Sequence, residues 1–306
     1  MKFPTIFAGV AILILSGCQK HQQKEKKVAS NPLIEEFDFT KDVVFDTLNV
    51  PQHLRKTVKD ISALNVYETA YGGKGSEGNP PNFKNFRKLY DAASEQELFA
   101  LTDNKNSVVA VYAVIGLLER KGKYDVSGFQ KMLHRKGKIH IQNGCIIGED
   151  HPAEPVYWNY YYTLKPEKLK SDVNLKQLDS MLLFMPDASE LILATALRNR
   201  TYSDGLKQQI VRLAFDNHRL PALLYLDSWH KKEYAGPLQK EFIKLIENDS
   251  IGESRKRDYV SMLLSFNNTG NKKIILNYLK KDSLWRNEPQ IMSQLENNGI
   301  SAEDYR

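Results

Sequence analysis

The sequence predicts an all-α protein, a solenoid of antiparallel helix pairs interrupted by one β-hairpin near residues 138–148. Three observations carry that prediction. From about residue 56 onward, apolar residues recur at helical spacing in runs of roughly 10–15 residues, and short polar turns separate the runs. The stretch from Ser94 to Gly122 holds a complete helix–turn–helix unit with its own start signal. One segment, "KIHIQNGCIIGE", changes period and alternates in the manner of a strand.

The N-terminus is organised differently. Lys2 precedes a mostly apolar run from Phe3 to Leu15, shorter than the ~20 residues a membrane-spanning helix needs. A cation, a short apolar segment and closing small residues make a secretory signal peptide. Within it, Leu15-Ser16-Gly17-Cys18 resembles the bacterial lipobox. That resemblance implies a bacterial lipoprotein: residues 1–17 are removed, and Cys18 is acylated, with palmitate-type chains, and becomes the new N-terminus. Each buried CH₂ contributes ~0.8 kcal/mol, so one chain binds marginally and several hold firmly. Gln19 stands where an aspartate would favour retention in the inner membrane of enterobacteria, which implies the outer membrane. The following "QKHQQKEKK" is basic rather than acidic, which favours the periplasmic side.

Cysteine counting and charge narrow the classes further. With Cys18 lipidated, Cys145 has no partner in the mature chain, so stability rests on a core rather than a disulfide. Nearly 290 residues suffice for one large domain or an extended array. The net charge of +6 is modest, several lysines lie beside Cys18, and an exported chain meets no nucleic acid. The partners to expect are therefore the membrane, through the anchor, and a protein or polymer of the envelope.

Residues 18–55 comprise the lipidated cysteine, a polar stretch that reads as a flexible tether, and a mixed entry segment with room for one short extended piece in "DVVFDTLNVP". The helical repeat domain occupies 56–306. Its first helix is expected over Lys56–Tyr71, with Val58, Ile61, Leu64, Val66 and Tyr67 on one face and Gly72-Gly73 as the stop. The loop "GGKGSEGNPP" lacks the Gly-Lys-Ser/Thr ending and the preceding strand of a phosphate-binding loop. In "SEQELFALTDNKNSVVAVYAVIGLLERKG", Ser94 and Glu97 form a capping box, and the turn Asp103–Asn106 leads into a valine-rich helix. This unit resembles a HEAT-like repeat, although Ala110 stands where such repeats carry a basic residue. Downstream, "DASELILATALRNR" is expected to pair with "SDGLKQQIVRLAFDNH", and "LPALLYLDSWHKK" with "PLQKEFIKLIEND". "ESRKRDYVSMLLSFNNT" and "NKKIILNYLKKD" continue the series. Stacked pairs suit an open solenoid; a closed α/α toroid or an irregular bundle is the alternative.

In the hairpin, Asn143-Gly144 is a preferred type I′ turn pair. That register sets Gln142 opposite Cys145, Ile141 opposite Ile146 and His140 opposite Ile147, with His140 and Cys145 diagonal on one face. A thiolate–imidazole pair would need a closer base and an oxyanion donor, and neither is evident. His134, His140, Cys145 and His151 lack the tight pair spacing of zinc sites. No catalytic or metal-ligating residues, and no cofactor, are assigned.

The densest aromatic run, "YWNYYY", follows an acidic loop containing Glu149, Asp150 and Glu154. Tyr157, Tyr160 and Tyr161 fall on one helical face, Trp158 and Tyr162 on another. Rings with polar tips serve either core packing or carbohydrate and protein contact. Glu149, Asp150, Tyr157, Trp158 and Tyr161 are therefore the candidate partner-binding residues. Arg120, Lys121, Lys123, Lys131, Arg135, Lys136 and Lys138 offer a second possibility, a basic patch, against an ordinary solvated surface. The function expected is a non-enzymatic binding scaffold; the alternative is a toroidal envelope enzyme acting on polysaccharide.

Overall fold

The computed structural model describes residues 38–39, 42–71, 78–121, 126–198, 200–281 and 289–304. Cys18, the tether, Lys123 and residues 72–77 of the glycine-rich loop lie outside these. Among the described residues the chain forms fourteen α-helices and one three-stranded sheet, so the protein is mostly helical as expected.

Helix α1 (Arg55–Leu64) stops earlier than the apolar spacing suggests. Asn65 takes the left-handed conformation at φ 49° and donates its N–H to Ile61 O, closing the helix. Val66 and Tyr67, expected on the helix face, instead enter strand β1 (Val66–Glu68). Buried side chains hold that strand out of the helix. Asn82 Nδ2 donates to Ile61 O and Val66 O, and the Tyr112 hydroxyl both accepts from Glu68 N–H and donates to Glu68 C=O. Upstream, residues 43–47 form no strand.

Helix α2 (Pro81–Ala92) starts on a proline, and α3 (Glu95–Leu101) carries both halves of the Ser94–Glu97 capping box. Helix α4 (Ser107–Lys121) is capped by Asn106, whose Oδ1 accepts from the N–H groups of Val108 and Val109. Its run from Val108 to Ile115 is buried on every side, which explains why nearly every residue there is apolar. Helices α1, α2, α3, α5 (Val126–Leu133) and α6 (Ala153–Thr163), with β1, all pack against it.

The hairpin forms from β2 (Ile139–Asn143) and β3 (Ile146–Asp150), and β1 adds in parallel to β2. Its register differs from expectation. Asn143 pairs with Ile146, Ile141 with Gly148 and His140 with Glu149, so Gly144-Cys145 is the turn. Gly144 alone takes positive φ, 63°, as the first central position of a type II′ turn allows. Asn143 is kept in the strand because its Oδ1 accepts from Thr69 Oγ1, while Gly144 N–H donates to Tyr71 O. The His140–Cys145 adjacency therefore does not exist; Cys145 sits exposed at the turn.

Helices α7 (Val173–Leu182), α8 (Glu190–Arg198), α9 (Asp204–Phe215), α10 (Leu220–Trp229), α11 (Lys231–Glu247), α12 (Glu253–Leu264), α13 (Thr269–Lys281) and α14 (Pro289–Asn297) follow. The expected α10–α11 pair forms, whereas the expected α8–α9 pair is offset: α8 packs chiefly on α7 and α10, and α9 on α10. The α8–α9 connector explains the offset, since Arg200 is sunk against Asp179 of α7 and Tyr202 N–H donates to the Tyr225 hydroxyl of α10. Helix α11 kinks at Tyr234, three residues before Pro237.

The core divides into two apolar clusters. One gathers around α4 and α6, and the other runs from Leu183 to Ile300. Between them lies a buried polar seam, in which Tyr157 OH donates to Asp179 Oδ1 at 2.7 Å and Arg200 Nη2 meets Asp179 Oδ2 at 2.8 Å. Arg200 Nη2 also donates to Leu169 O.

Candidate binding surface

Helix α6 builds the aromatic candidate. Its rings form a continuous ladder: Tyr157 stacks on Tyr161 with centroids 6.0 Å apart, and Trp158 stacks on Tyr162 at 5.7 Å. Edge contacts between Trp158 and Tyr161, and between Tyr161 and Tyr162, join the two stacks. The i, i+4 spacing sets one ring above another on a helix, and the 100° turn between neighbours makes the cross-contacts.

The ladder runs from core to solvent. Tyr157 is 0% exposed and packs in the core, with its hydroxyl committed to Asp179, so it is removed from the candidate surface. Burial and the neighbouring Asp179 carboxylate push its hydroxyl far above the ordinary tyrosine range, so it remains a donor. Trp158 and Tyr161 are half-buried, and Tyr162, absent from the expected set, is 76% exposed. The sequence signal for Tyr162 was its place four residues after Trp158.

Tyr160 uses its hydroxyl to donate to Asp172 Oδ1, and the same carboxylate caps α7 by accepting from Leu175 N–H. The ladder is thereby braced against the next helix. Ring geometry is fixed before any partner arrives, which lowers the ordering cost of binding.

The acidic residues are placed less uniformly than one loop. Glu149 and Asp150 both belong to β3, and adjacent strand residues point to opposite faces. Glu149 is exposed and reaches His140 Nδ1 at 3.3 Å across the hairpin. Asp150 is half-buried; burial raises its pKa, and Lys138 opposes the rise. Glu154 is buried in the first turn of α6, where its carboxylate accepts from Ser189 N–H and Ser189 Oγ. Burial raises its pKa against those two bonds. Glu154 is thus a structural tie between α6 and the start of α8. At 1.5 Å per residue, Trp158 and Tyr161 lie about 8 and 12 Å along α6 from its first residue, beyond the acids rather than beside them.

The basic residues do not behave as one free patch. Lys131 bonds Asp103 and Thr102, and Arg120 bonds Tyr90 O. Arg135 donates to Thr102 O, Asn104 O and Ser107 Oγ, and burial lowers its pKa. Lys136 and Lys138 remain exposed. His151 Nε2 contacts Arg135 O and burial lowers its pKa, while His134 Nδ1 contacts Gln130 O. Among the described residues no three His, Cys, Asp or Glu side chains gather in a way that could hold a metal ion.

The sequence does not point to a further feature, a cleft that lies along α11 and is bordered by Phe215 of α9. This open cleft of about 650 Å³ is lined by Phe215, Pro237, Lys240, Glu241, Lys244 and Glu247, among others. Glu241 Oε1 lies 2.5 Å from Nδ1 of His218, which takes a left-handed backbone at φ 53°. No helix among the described residues is long and apolar enough to cross a membrane. Comparisons with protein-family models, with curated proteins and with solved structures find no match.

Proposed function

We propose that this chain is a bacterial lipoprotein whose helical-repeat domain serves as a non-enzymatic binding scaffold in the cell envelope. Cys18 carries the lipid anchor, and the outer membrane, on its periplasmic side, is the proposed location. The partner is a protein or an envelope polymer. The observation that carries the scaffold reading is a recurrent spacing in the bonds between helix layers. Arg135 reaches Thr102 O and Asn104 O, 33 and 31 residues back. Arg200 reaches Leu169 O at a separation of 31, and Arg219 reaches Pro186 O and Ala188 O at 33 and 31. Asn271 to Gln239 spans 32, Ser261 to Gln294 spans 33, and Ser189 to Glu154 spans 35. Other bonds between helices are shorter in sequence, Tyr157 to Asp179 at 22 and Gln209 to Leu183 at 26, so the chain returns on itself at separations of 22 to 35 residues. That range supports a HEAT-like stack of helix pairs, because the period of such arrays falls between 20 and 50 residues.

Repeat arrays present extended faces to their partners. The Trp158–Tyr161–Tyr162 ladder is the strongest such face here, since rigid rings with polar tips bury much area at small entropic cost. The competing toroidal enzyme is less well supported. Glu149 and Asp150 leave β3 on opposite faces and do not converge on one substrate bond. The test is chemical crosslinking in intact cells, followed by recovery of the protein from detergent-solubilised envelopes. A Tyr162→Ala variant is expected to lose a crosslinked species that the wild type retains, at unchanged Tm. Identical crosslinking patterns would reject this surface.

A further inference from the structure

The first described residues after the tether display an apolar tip that the fold gives no internal reason to expose. Val44, Phe45 and Leu48 are 43%, 56% and 84% exposed within five residues. The backbone beneath them is pinned. Asn106 Nδ2 donates to Val44 O at 3.1 Å, Asn104 Nδ2 to Asp46 O at 2.8 Å, and Lys105 N–H to Asp46 Oδ2 at 2.9 Å. On the flanks, Arg55 Nε donates to Val50 O and Asn65 Nδ2 to Phe39 O. A segment clamped at four backbone carbonyls and at the Asp46 carboxylate, with its large apolar side chains turned to water, is held for contact with something outside the domain.

We infer that this tip docks into the interfacial region of the bilayer to which Cys18 is attached. The inference rests on the lipoprotein reading, and chain connectivity selects the occupant. Val44 follows Cys18 by 26 residues, and at up to ~3.5 Å per residue the tip cannot lie more than about 90 Å from the acylated end. The membrane is thus a permanent neighbour at high effective concentration, whereas any other partner must arrive by diffusion. Charge around the tip is mixed: Lys59 and Lys105 are exposed beside it, Lys56 is paired with Asp60, and Asp42 and Asp46 put carboxylates on the segment itself. The apolar side chains and the chain connectivity therefore carry the docking, as burial of apolar area in the headgroup boundary requires. Docking at this point would fix the orientation of the array, so that the α6 ladder faces one direction relative to the membrane.

The experiment uses the full protein purified with its lipid and reconstituted into vesicles of phosphatidylethanolamine and phosphatidylglycerol. Phe45→Trp and Leu48→Trp add emission at the tip, and Leu191→Trp adds it at an exposed apolar position of α8. Brominated acyl chains are expected to quench the emission added at the tip by about twofold or more, and that added at position 191 hardly at all. Equal quenching at the three positions, or none at any, would overturn the docking. Fatty-acid labelling of Cys18 in the same preparation separates the two readings. Labelled protein with an unquenched tip removes the docking alone, whereas unlabelled protein removes the anchor and the docking with it.

Discussion

Asp179 offers a quantitative test of the polar seam between the two core clusters. Its side chain is 2% exposed, accepts from the Tyr157 hydroxyl and pairs with Arg200. Burial pushes the carboxyl up from 3.8 to about 7, against the pull of Arg200 and of the Tyr157 bond. The native state therefore keeps this proton to higher pH than the unfolded chain does. The resulting stability is fully present below about pH 3.8 and is lost as pH rises through about 7. At ~1.4 kcal/mol per pH unit, the loss attributable to this one group approaches about 4 kcal/mol. Asp179→Asn removes the titration while keeping an oxygen for Tyr157. Urea unfolding of wild type and variant from pH 4 to pH 8 gives the difference curve directly, and groups common to both proteins cancel. The advantage of the wild type over the variant is expected to shrink steadily over that range. A difference that stays flat, or one that grows with pH, would refute the assignment of the seam as a desolvated carboxylate.

Two further substitutions probe the local geometry. Gly144→Val places a β-branched residue at φ 63° in the hairpin turn and is expected to cost about 1–3 kcal/mol. Faster amide exchange along residues 139–150, with the helices unaffected, is the readout. Tyr157→Ala should destabilise by about 3–5 kcal/mol as a core truncation, whereas Tyr162→Ala should change stability by no more than about 0.5 kcal/mol. Denaturant midpoints compare the two, and equal losses would contradict the core-to-solvent gradient of the ladder.

Helix boundaries were legible wherever polar side chains close the backbone locally, as at Ser94–Glu97, whose capping box needs only residues three apart. The hairpin was legible too, because period-2 alternation is a local property. Its register was not. Asn143-Gly144 favours one turn, but Asn143 is drawn into the strand by Thr69, 74 residues away, which leaves Gly144-Cys145 to turn. Strand β1 was hidden for the same reason. Val66 and Tyr67 fit the helical spacing, and only buried bonds from Asn82 and Tyr112 take them out of it. Within the aromatic run, five rings look alike in sequence. Which is buried depends on the position of Asp179, to which no motif points. The bonds that join one helix to another, at separations of 22 to 35 residues, are equally invisible, since a different polar pair makes each contact.

Lipid attachment at Cys18 is the claim from which the location, the tether and the docking tip all follow. Growth with a radiolabelled or alkyne-tagged palmitate, followed by recovery of the wild type and of Cys18→Ala, tests it most directly. The wild type should carry the label, lose residues 1–17 and sediment with membranes. Cys18→Ala should carry no label and be either soluble or an unprocessed precursor. Label that persists in Cys18→Ala, or a wild type that never acquires it, would contradict the lipoprotein reading.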